Sequence, residues 1–185
     1  MHGDLRDHLI ATGVELVTAE GTEALTLREI ARRAGVSHGA PRRYFRTHRE
    51  LLAAVARVGY VRLAGRVDAL GEQPDPRAGL LALGRLYLEF ARTDRGMFEL
   101  MFRHDLLRGN QEGLRAASKP LFAVLVDLVA RGRPGRGDPA VAAGALWANL
   151  HGIAQLWSWG SLQMTVETED ADALLRTAID AYLEP

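Results

Sequence analysis

The strongest constraint on the fold of this chain is the pattern of helix-boundary residues between positions 26 and 40. Thr26 and Glu29 have the spacing of a capping box, in which two residues satisfy backbone amides at the start of a helix. Apolar residues follow at helical spacing, and Gly35 stands where a helix commonly ends in a left-handed residue. Ser37 is a suitable cap for a second helix. The pattern predicts a helix-turn-helix, a motif that places its second helix in the major groove of DNA.

Positive charge is concentrated in the same region. The whole chain has 23 basic and 23 acidic residues and no formal net charge. Seven arginines nevertheless lie between positions 28 and 49, and Glu29 is the only acidic residue among them. Because phosphate binding needs a local patch and not a basic total, the cluster favours a nucleic-acid contact over a solvated helix face. The seven are Arg28, Arg32, Arg33, Arg42, Arg43, Arg46 and Arg49.

Two further runs of residues follow the predicted turn. Ser37 to Phe45 reads Ser-x-Gly-x-x-x-x-Tyr-Phe, and residues 47–52 read Thr-His-Arg-Glu-Leu-Leu. With these runs, the stretch from Thr26 to Val55 resembles the DNA-binding domain of TetR-type transcriptional regulators. The chain departs from the family pattern at Arg42, where members often have tyrosine, and at His48, where they often have lysine.

The resemblance implies a fold and a division of the chain. It implies an all-α protein with a three-helix helix-turn-helix DNA-binding domain at 1–48. A larger helical domain at 49–185 is expected to bind an effector and to dimerise. Asp-Pro pairs at 75–76 and 138–139 fit helix starts in this second part, and the glycine-rich segment 132–137 is expected to be an exposed linker.

The DNA contacts are expected mainly on the segment after the turn. A bidentate contact from arginine to guanine is the commonest specific pairing, so Arg42 or Arg43 is expected to read a base edge. Pro41 leaves two alternatives open: it lies in the second turn of a helix capped by Ser37, or it is the first residue of a helix that begins there. The predicted DNA contacts are Thr26, Arg28, Ser37, His38, Gly39, Arg42, Arg43, Tyr44, Thr47 and His48.

Two aromatic residues and a second capping box follow the arginines. Phe45 is expected in the core, whereas Tyr44 fits either a phosphate contact or a half-buried packing position. Thr47 and Glu50 repeat the capping-box spacing, and the helix start beside them exposes backbone amides that suit a phosphate oxygen. For Thr47, capping alone is the alternative to a phosphate contact.

The helix predicted after Asp138 has two adjacent apolar stripes, which imply burial on two sides. One side would face its own domain and the other a second copy of the chain. Helix pairs near the chain end commonly form a four-helix dimer interface in TetR-like proteins, so the resemblance implies a homodimer. The expected interface residues are Leu146, Leu150, Ile153, Trp157, Leu174 and Ile179.

An effector site is expected in the second domain. Trp147, His151 and Gly152 resemble the WHG-domain subset of these regulators, which is named for these residue types. His151 is either a core histidine satisfied by a neighbouring group or a polar contact in a mostly apolar cavity. Aromatic and methionine side chains at helical spacing fit an ordinary core as well as a cavity. The expected lining residues are Phe90, Phe98, Met101, Phe122, Trp147 and His151.

Several features narrow the remaining possibilities. The sequence has no cysteine, which excludes disulfides and thiolate metal sites, and we expect no cofactor and no metal. It shows no secretory signal and no apolar run of membrane length, so we expect a cytoplasmic protein without a membrane partner. No nucleophile, base and orienting acid stand at a recognisable spacing, which disfavours an enzyme.

These patterns predict a sequence-specific, homodimeric transcriptional regulator. The resemblance implies a repressor that binds a double-stranded DNA operator and is released by a small, mostly apolar effector. The alternative is a helical adaptor that binds another protein, or a small-molecule-binding protein without DNA binding. Salt dependence separates these hypotheses, since phosphate contacts make DNA affinity fall steeply with salt.

Overall fold

The computed structural model describes residues 2–109 and 111–183, apart from the side chains of residues 2–4, 104, 107 and 111. Within these ranges the backbone forms helices and turns without a strand, so the predicted all-α class is confirmed. Three short 3-10 helices lie at Thr22–Ala24, Pro41–Arg43 and Gln111–Gly113. The α-helices are α1 His2–Glu20, α2 Leu27–Arg33, α3 His48–Asp68, α4 Pro76–Thr93, α5 Arg95–Met101, α6 His104–Gly109, α7 Leu114–Gly132, α8 Pro139–Ser158, α9 Ser161–Val166 and α10 Ala171–Leu183.

The chain forms two compact units, each built from two separate stretches. The head unit contains the residues up to Leu63 together with Asp94–Ser118, and the body unit contains Ala64–Thr93 and the residues from Lys119 onward. The helices α3 and α7 each begin in the head unit and end in the body unit. Residues from much later in the chain therefore pack in the same unit as the helix-turn-helix. The predicted boundary of the DNA-binding domain after residue 48 stays a prediction.

In the head unit, α5 packs closely against both α1 and α3. A methyl group at Gly96 would overlap the backbone carbonyl oxygen of Val17. A methyl group at Gly59 would lie 2.7 Å from the sulfur of Met97. The Tyr60 hydroxyl donates to the backbone oxygen of Met101 at 2.8 Å, and burial raises the pKa of Tyr60. These contacts hold α5 against α1 and α3, the helices that precede and follow the helix-turn-helix in the chain.

In the body unit, α4, α8 and α10 enclose a common apolar core. Leu80 of α4, Leu146 of α8 and Leu175 of α10 are buried there. The ion pair between Arg77 and Asp180, at 2.7 Å, joins α4 to α10 at the surface. None of the described helices combines the length and the apolar character that a membrane span requires.

The predicted helix starts in this unit are confirmed. Asp138 accepts a hydrogen bond from the Ala140 amide at 2.8 Å, and Pro139 is the first helical residue. Asp75 accepts from the Arg77 amide at 3.0 Å in the same way. A proline at this position loses nothing, because its missing N–H would have had no partner inside the helix.

Candidate functional site

The first helix of the motif begins as predicted, but its capping box is only half formed. The Glu29 amide donates to the Thr26 hydroxyl oxygen at 3.1 Å. The Glu29 carboxylate does not return the bond, because it pairs with Arg32 at 2.5 Å and Arg33 at 2.9 Å. Hydrogen bonds from Arg32 and then Arg33 lower the pKa of Glu29 to about 2. Arg33 also pairs with Glu20, so these two arginines are neutralised within the protein.

The turn after α2 has the predicted left-handed glycine. Gly35 has φ 67°, its amide donates to the Arg32 oxygen at 3.3 Å, and the Val36 amide donates to the Ala31 oxygen at 3.0 Å. These two bonds are the Schellman pattern, which satisfies the last carbonyls of a helix. The chain therefore leaves α2 in a fixed direction toward the second element of the motif.

The second element is shorter than a regular recognition helix. Residues 38–40 form a turn and a bend, and in the fully described stretch between Ser37 and α3 the only helical geometry is the 3-10 helix Pro41–Arg43. Pro41 is its first residue, which confirms the second of the two alternatives for this proline. The backbone oxygen of Ser37 accepts a hydrogen bond from the Ala40 amide at 2.9 Å. No side chain caps the start of the 3-10 helix. The prediction of a helix that starts after Ser37 is wrong. Pro41 has no amide hydrogen to donate to the Ser37 oxygen, so that helix cannot form its first backbone hydrogen bond.

Of the aromatic pair after the arginines, Phe45 lies in the core as predicted, whereas the phosphate contact of Tyr44 stays a prediction. Phe45 is 0% exposed, and its amide donates to the Pro41 oxygen at 2.9 Å. The guanidinium carbon of Arg6 lies 5.2 Å from the centre of the Phe45 ring. Tyr44 is half-buried. Phe45 therefore anchors the segment that carries Arg42 and Arg43.

The start of α3 is capped by Thr47. The Glu50 amide donates to the Thr47 hydroxyl oxygen at 3.2 Å, while the Glu50 carboxylate accepts from the Arg46 amide at 2.6 Å. The Nε2 atom of His48 contacts the backbone oxygen of Leu25. This contact uses one ring nitrogen of His48 to join the start of α3 to the residue before Thr26. Only the other ring nitrogen is left for the predicted DNA contact.

Four of the seven arginines in the cluster lack an ion pair within the part of the chain that the structure describes. Among the residues that the structure describes, the guanidinium groups of Arg28, Arg42, Arg43 and Arg46 make no ion pair, and all four side chains are exposed. Arg49 lies 3.9 Å from Asp105. The sequence pattern missed the pairs made by Glu20 and Asp105, because both carboxylates lie outside the cluster along the chain. The remaining predicted contacts Thr26, Ser37, His38, Gly39, Thr47 and His48 are exposed as well.

The predicted effector residues fall into two groups. Phe98 and Met101 are buried in the head unit, whereas Phe90, Phe122, Trp147 and His151 belong to the body unit. Phe90 is fully buried beneath the guanidinium of Arg66, at 5.0 Å. The structure brings together three of the six, with Trp147 lying 6.4 Å from Phe122 and 6.1 Å from His151 between ring centres. Phe90, Phe98 and Met101 act as core residues.

Sequence reasoning missed Tyr87, which completes this aromatic cluster. The Trp147 indole N–H donates to the Tyr87 oxygen at 3.3 Å, and the Tyr87 hydroxyl lies 2.8 Å from Nδ1 of His151. Burial lowers the pKa of His151, so the ring is neutral at pH 7, and its Nδ1 shares a hydrogen bond with the Tyr87 hydroxyl. The helical period places 83, 87 and 90 on one face of α4, but no local signal joins this face to α8. We call Tyr87, Phe122, Trp147 and His151 the aromatic cluster.

The residues predicted for the dimer interface lie mainly inside one copy. Leu146, Leu150 and Ile179 are at most 3% exposed within the body unit, and Ile153 and Trp157 are half-buried. Their stripe is the face that α8 turns toward α4 and α10, so a second copy has no access to most of it. Leu174 of α10 is half-buried on a different face.

The opposite face of α8 is open to solvent and largely apolar. Its members recur every three or four residues, which places them on one side of the helix. Val141 is 70% exposed, Leu156 39%, and Trp159, directly after the helix, 58%. A methyl group added at Gly144 or Gly152 would meet no atom within 4 Å apart from the adjoining backbone of its own helix. We call Val141, Ala145, Ala148, Gly152, Leu156 and Trp159 the outer face of α8.

An exposed helix-turn-helix, with four arginines that make no ion pair among the described residues, and a larger helical unit place the protein in the class of helix-turn-helix DNA-binding proteins. Residues 9–55 match the family model for bacterial regulatory proteins of the tetR family. Residues 80–182 match the model for the tetracyclin repressor-like C-terminal domain, which covers more than half of the chain. The chain belongs to the TetR family of DNA-binding transcriptional regulators.

Solved structures share this fold over nearly the whole chain. A protein of unknown function from Rhodococcus sp. RHA1 is 29% identical, with 97% of this chain and 93% of that chain covered and a TM-score of 0.73. A transcriptional regulator from the same strain is 22% identical, with coverages of 97% and 96% and a TM-score of 0.74. The multidrug binding protein EbrR in complex with ethidium is 26% identical, with coverages of 97% and 99% and a TM-score of 0.65. No curated protein matches the chain.

Proposed function

We propose that this TetR family member is a transcriptional repressor that binds a pseudo-palindromic operator as a homodimer. The observation that carries the proposal is the pair Arg42 and Arg43, both exposed and without an ion pair among the described residues. They lie on a short 3-10 helix that Phe45 anchors in the head core. This combination offers guanidinium groups to base edges at a low cost in ordering the backbone.

Phosphate contacts would come from groups around this pair. Arg28 and Arg46 are exposed cations on either side of it in the chain. Thr26 and Thr47 lie at the starts of α2 and α3, where unpaired backbone amides favour an anion. Such contacts fix the orientation of the head on the duplex without selecting its sequence.

A symmetric dimer would place two recognition segments on one side of the duplex. Their separation in the DNA-bound state would be about 34–36 Å, one turn of B-DNA. The outer face of α8 supplies an exposed apolar surface for this contact. On α10, Leu174, Thr177, Ala178 and Ala181 also share one side of the helix and are small or only partly buried. The Asn149 side chain donates to the Tyr182 hydroxyl at 2.6 Å and joins α8 to α10 beside these faces.

DNA binding is expected to depend steeply on salt. If Arg28 and Arg46 of both subunits each neutralise one phosphate, affinity falls about a hundredfold between 50 and 200 mM salt. The probe is a fluorescein-labelled duplex that the native protein selects from a random-sequence library, and the measurement is fluorescence anisotropy at four salt concentrations. A double variant with Arg28→Gln and Arg46→Gln should bind more weakly and with a shallower slope.

Arg92→Gln is the matched control, since Arg92 is exposed on α4 and pairs with Glu89. It should leave both affinity and slope at the native values. Failure to select any duplex, or an affinity that does not change with salt, would favour the alternative of a protein-binding adaptor.

The effector site is proposed at the aromatic cluster. The indole of Trp147 is 39% exposed and the ring of Phe122 37%, so both offer faces to a ligand. The neutral His151 adds a polar atom without adding a charge. A ligand that prefers a body conformation incompatible with the operator spacing would release the DNA through its different affinity for the two states. EbrR was solved with ethidium bound, which makes an aromatic cation a reasonable first probe.

Ethidium is expected to bind the DNA-free protein at this cluster. Aromatic faces attract a flat cation, so Trp147→Leu should weaken binding about tenfold in an ethidium anisotropy titration. Met164→Ala is the control, because Met164 is a large apolar side chain that is 77% exposed on α9. Equal affinities for the native protein and Trp147→Leu would remove the cluster from the site.

A further inference from the structure

Glu112 has a backbone conformation that its residue type disfavours. Its φ of 55° and ψ of 18° lie in the left-handed region, which glycine adopts at little cost and glutamate does not. The next residue, Gly113, also has a left-handed φ, of 68°. Glu167 has the same left-handed conformation at the end of α9, with φ 52°, so the argument for Glu112 rests on what its side chain contacts.

The side chain of Glu112 connects this turn to the first helix. Its Oε2 accepts a hydrogen bond from Arg6 at 2.6 Å. The two side chains retain 34% and 25% of their exposure, so the pair is partly shielded from water. Partial shielding makes an ion pair less sensitive to salt than a fully exposed one.

The same arginine connects onward to the recognition segment. Its guanidinium lies over the fully buried ring of Phe45, at 5.2 Å. Phe45 holds the 3-10 helix of Arg42 and Arg43 through its hydrogen bond to Pro41. Glu112, Arg6 and Phe45 therefore form a continuous chain of contacts within the head unit. We call these three residues the Glu112–Arg6–Phe45 cluster.

Packing alone does not hold Arg6 in this position. A cleft of about 450 Å³ opens beside it between α1 and α3, and Arg6 and Glu112 both line this cleft. The orientation of the guanidinium therefore depends on its two contacts, the Glu112 carboxylate and the Phe45 ring. Loss of the carboxylate would let the guanidinium turn into the cleft and leave the Phe45 ring.

We propose that Glu112 and Arg6 are positioning residues for DNA recognition, which act through Phe45 on the segment of Arg42 and Arg43. The role in DNA recognition rests on the proposed function, whereas the effect of Glu112 and Arg6 on the conformation of the segment with Arg42 and Arg43 does not. The helix α7 begins at Leu114, directly after this turn, and continues into the body unit.

The first test measures the segment without DNA, by amide hydrogen exchange of peptides that cover residues 38–48. Glu112→Gly removes the carboxylate and at the same time relieves the left-handed strain. We expect unfolding at an unchanged or higher temperature, together with about threefold to tenfold faster exchange of the amides of residues 43–45. Arg6→Gln should have the same effect on exchange, and the double variant should add little to either single one. Arg6→Lys, which keeps the cation, should restore most of the protection.

Asp180→Asn is the matched control, because it breaks the ion pair with Arg77 in the body unit. It should leave exchange in residues 38–48 unchanged. Native exchange rates in Glu112→Gly would overturn the proposal, as would full additivity in the double variant.

The second test measures binding to the duplex selected by the native protein and to random-sequence DNA. Glu112→Gly should bind the selected duplex about threefold to tenfold more weakly and bind random DNA with native affinity. Faster exchange with unchanged affinity for the selected duplex would overturn the role in DNA recognition. If the native protein selects no duplex, the proposed function fails, and the exchange rates alone decide the role of the cluster.

Discussion

Replacing the base-reading arginine of each subunit with alanine is expected to remove most of the sequence-specific affinity. A bidentate contact to guanine contributes about 1–3 kcal/mol of discrimination, and a dimer makes it twice, so the loss is about 2–6 kcal/mol. This corresponds to affinity weakened roughly thirtyfold to twenty-thousandfold. Arg42→Ala and Arg43→Ala should be titrated against the selected duplex and against single-base variants of each half-site. The residue that reads a base loses discrimination at one position per half-site when it is replaced.

Arg46→Ala is the matched control for this series. Arg46 is also exposed and has no ion pair among the described residues, but it lies beyond the 3-10 helix. Its loss should weaken binding to all duplexes by a similar factor. The slope of log affinity against log salt concentration should fall by the amount expected for one phosphate contact per subunit. If Arg42→Ala and Arg43→Ala behave like this control, neither arginine reads a base, and specificity must come from DNA shape or from other side chains.

The elements that sequence reasoning located correctly are those with short-range hydrogen bonds. Gly35 ends α2 through bonds that span at most five residues, and Asp138 begins α8 through a bond that spans two. Such bonds depend on residue types that are adjacent in the sequence, so the pattern determines the boundary. The helix expected at Ser37 was wrong because two local preferences competed, and the missing amide of Pro41 prevailed over the serine cap.

The electrostatics of the motif could be predicted only in part. The sequence showed the cluster of arginines, but the tertiary fold decides which of them are neutralised. Glu20 reaches Arg33 from α1, and Asp105 approaches Arg49 from a helix more than fifty residues later. Hydrophobicity and charge along the chain contain no signal for such pairs.

The interface prediction shows a related limit. Periodicity identified two apolar sides of α8, but it does not say which side a single copy already covers. The most hydrophobic stripe, with Leu146 and Leu150, fills the subunit core. The side left for a partner has alanine and glycine in its middle, with Val141 at one end and Leu156 and Trp159 at the other. The sequence pattern did not reveal the role of Tyr87 for a similar reason. Its contact joins α4 to α8, and its partner His151 lies 64 positions later in the chain.

Ala148→Glu is expected to convert the protein to a folded monomer. Ala148 is exposed near the middle of the outer face of α8, so the longer side chain meets no obstacle within its own subunit. In a symmetric dimer the substitution would place two carboxylates in one apolar interface, where neither finds a compensating charge. Operator affinity should fall about a hundredfold or more, because each half-site would then have to bind on its own. Sedimentation equilibrium at micromolar protein measures the association, and anisotropy measures the DNA affinity.

Ala78→Glu is the control for charge and helix propensity. Ala78 is an exposed alanine in the first turn of α4, in the same unit but on neither proposed dimer surface. This variant should remain a dimer and bind the selected duplex with native affinity. Because the two substitutions change net charge equally, a difference between them reports position and not charge. A dimeric Ala148→Glu with native DNA affinity would place the contact between copies elsewhere, whereas a monomer that still bound the full duplex tightly would contradict two-subunit recognition itself.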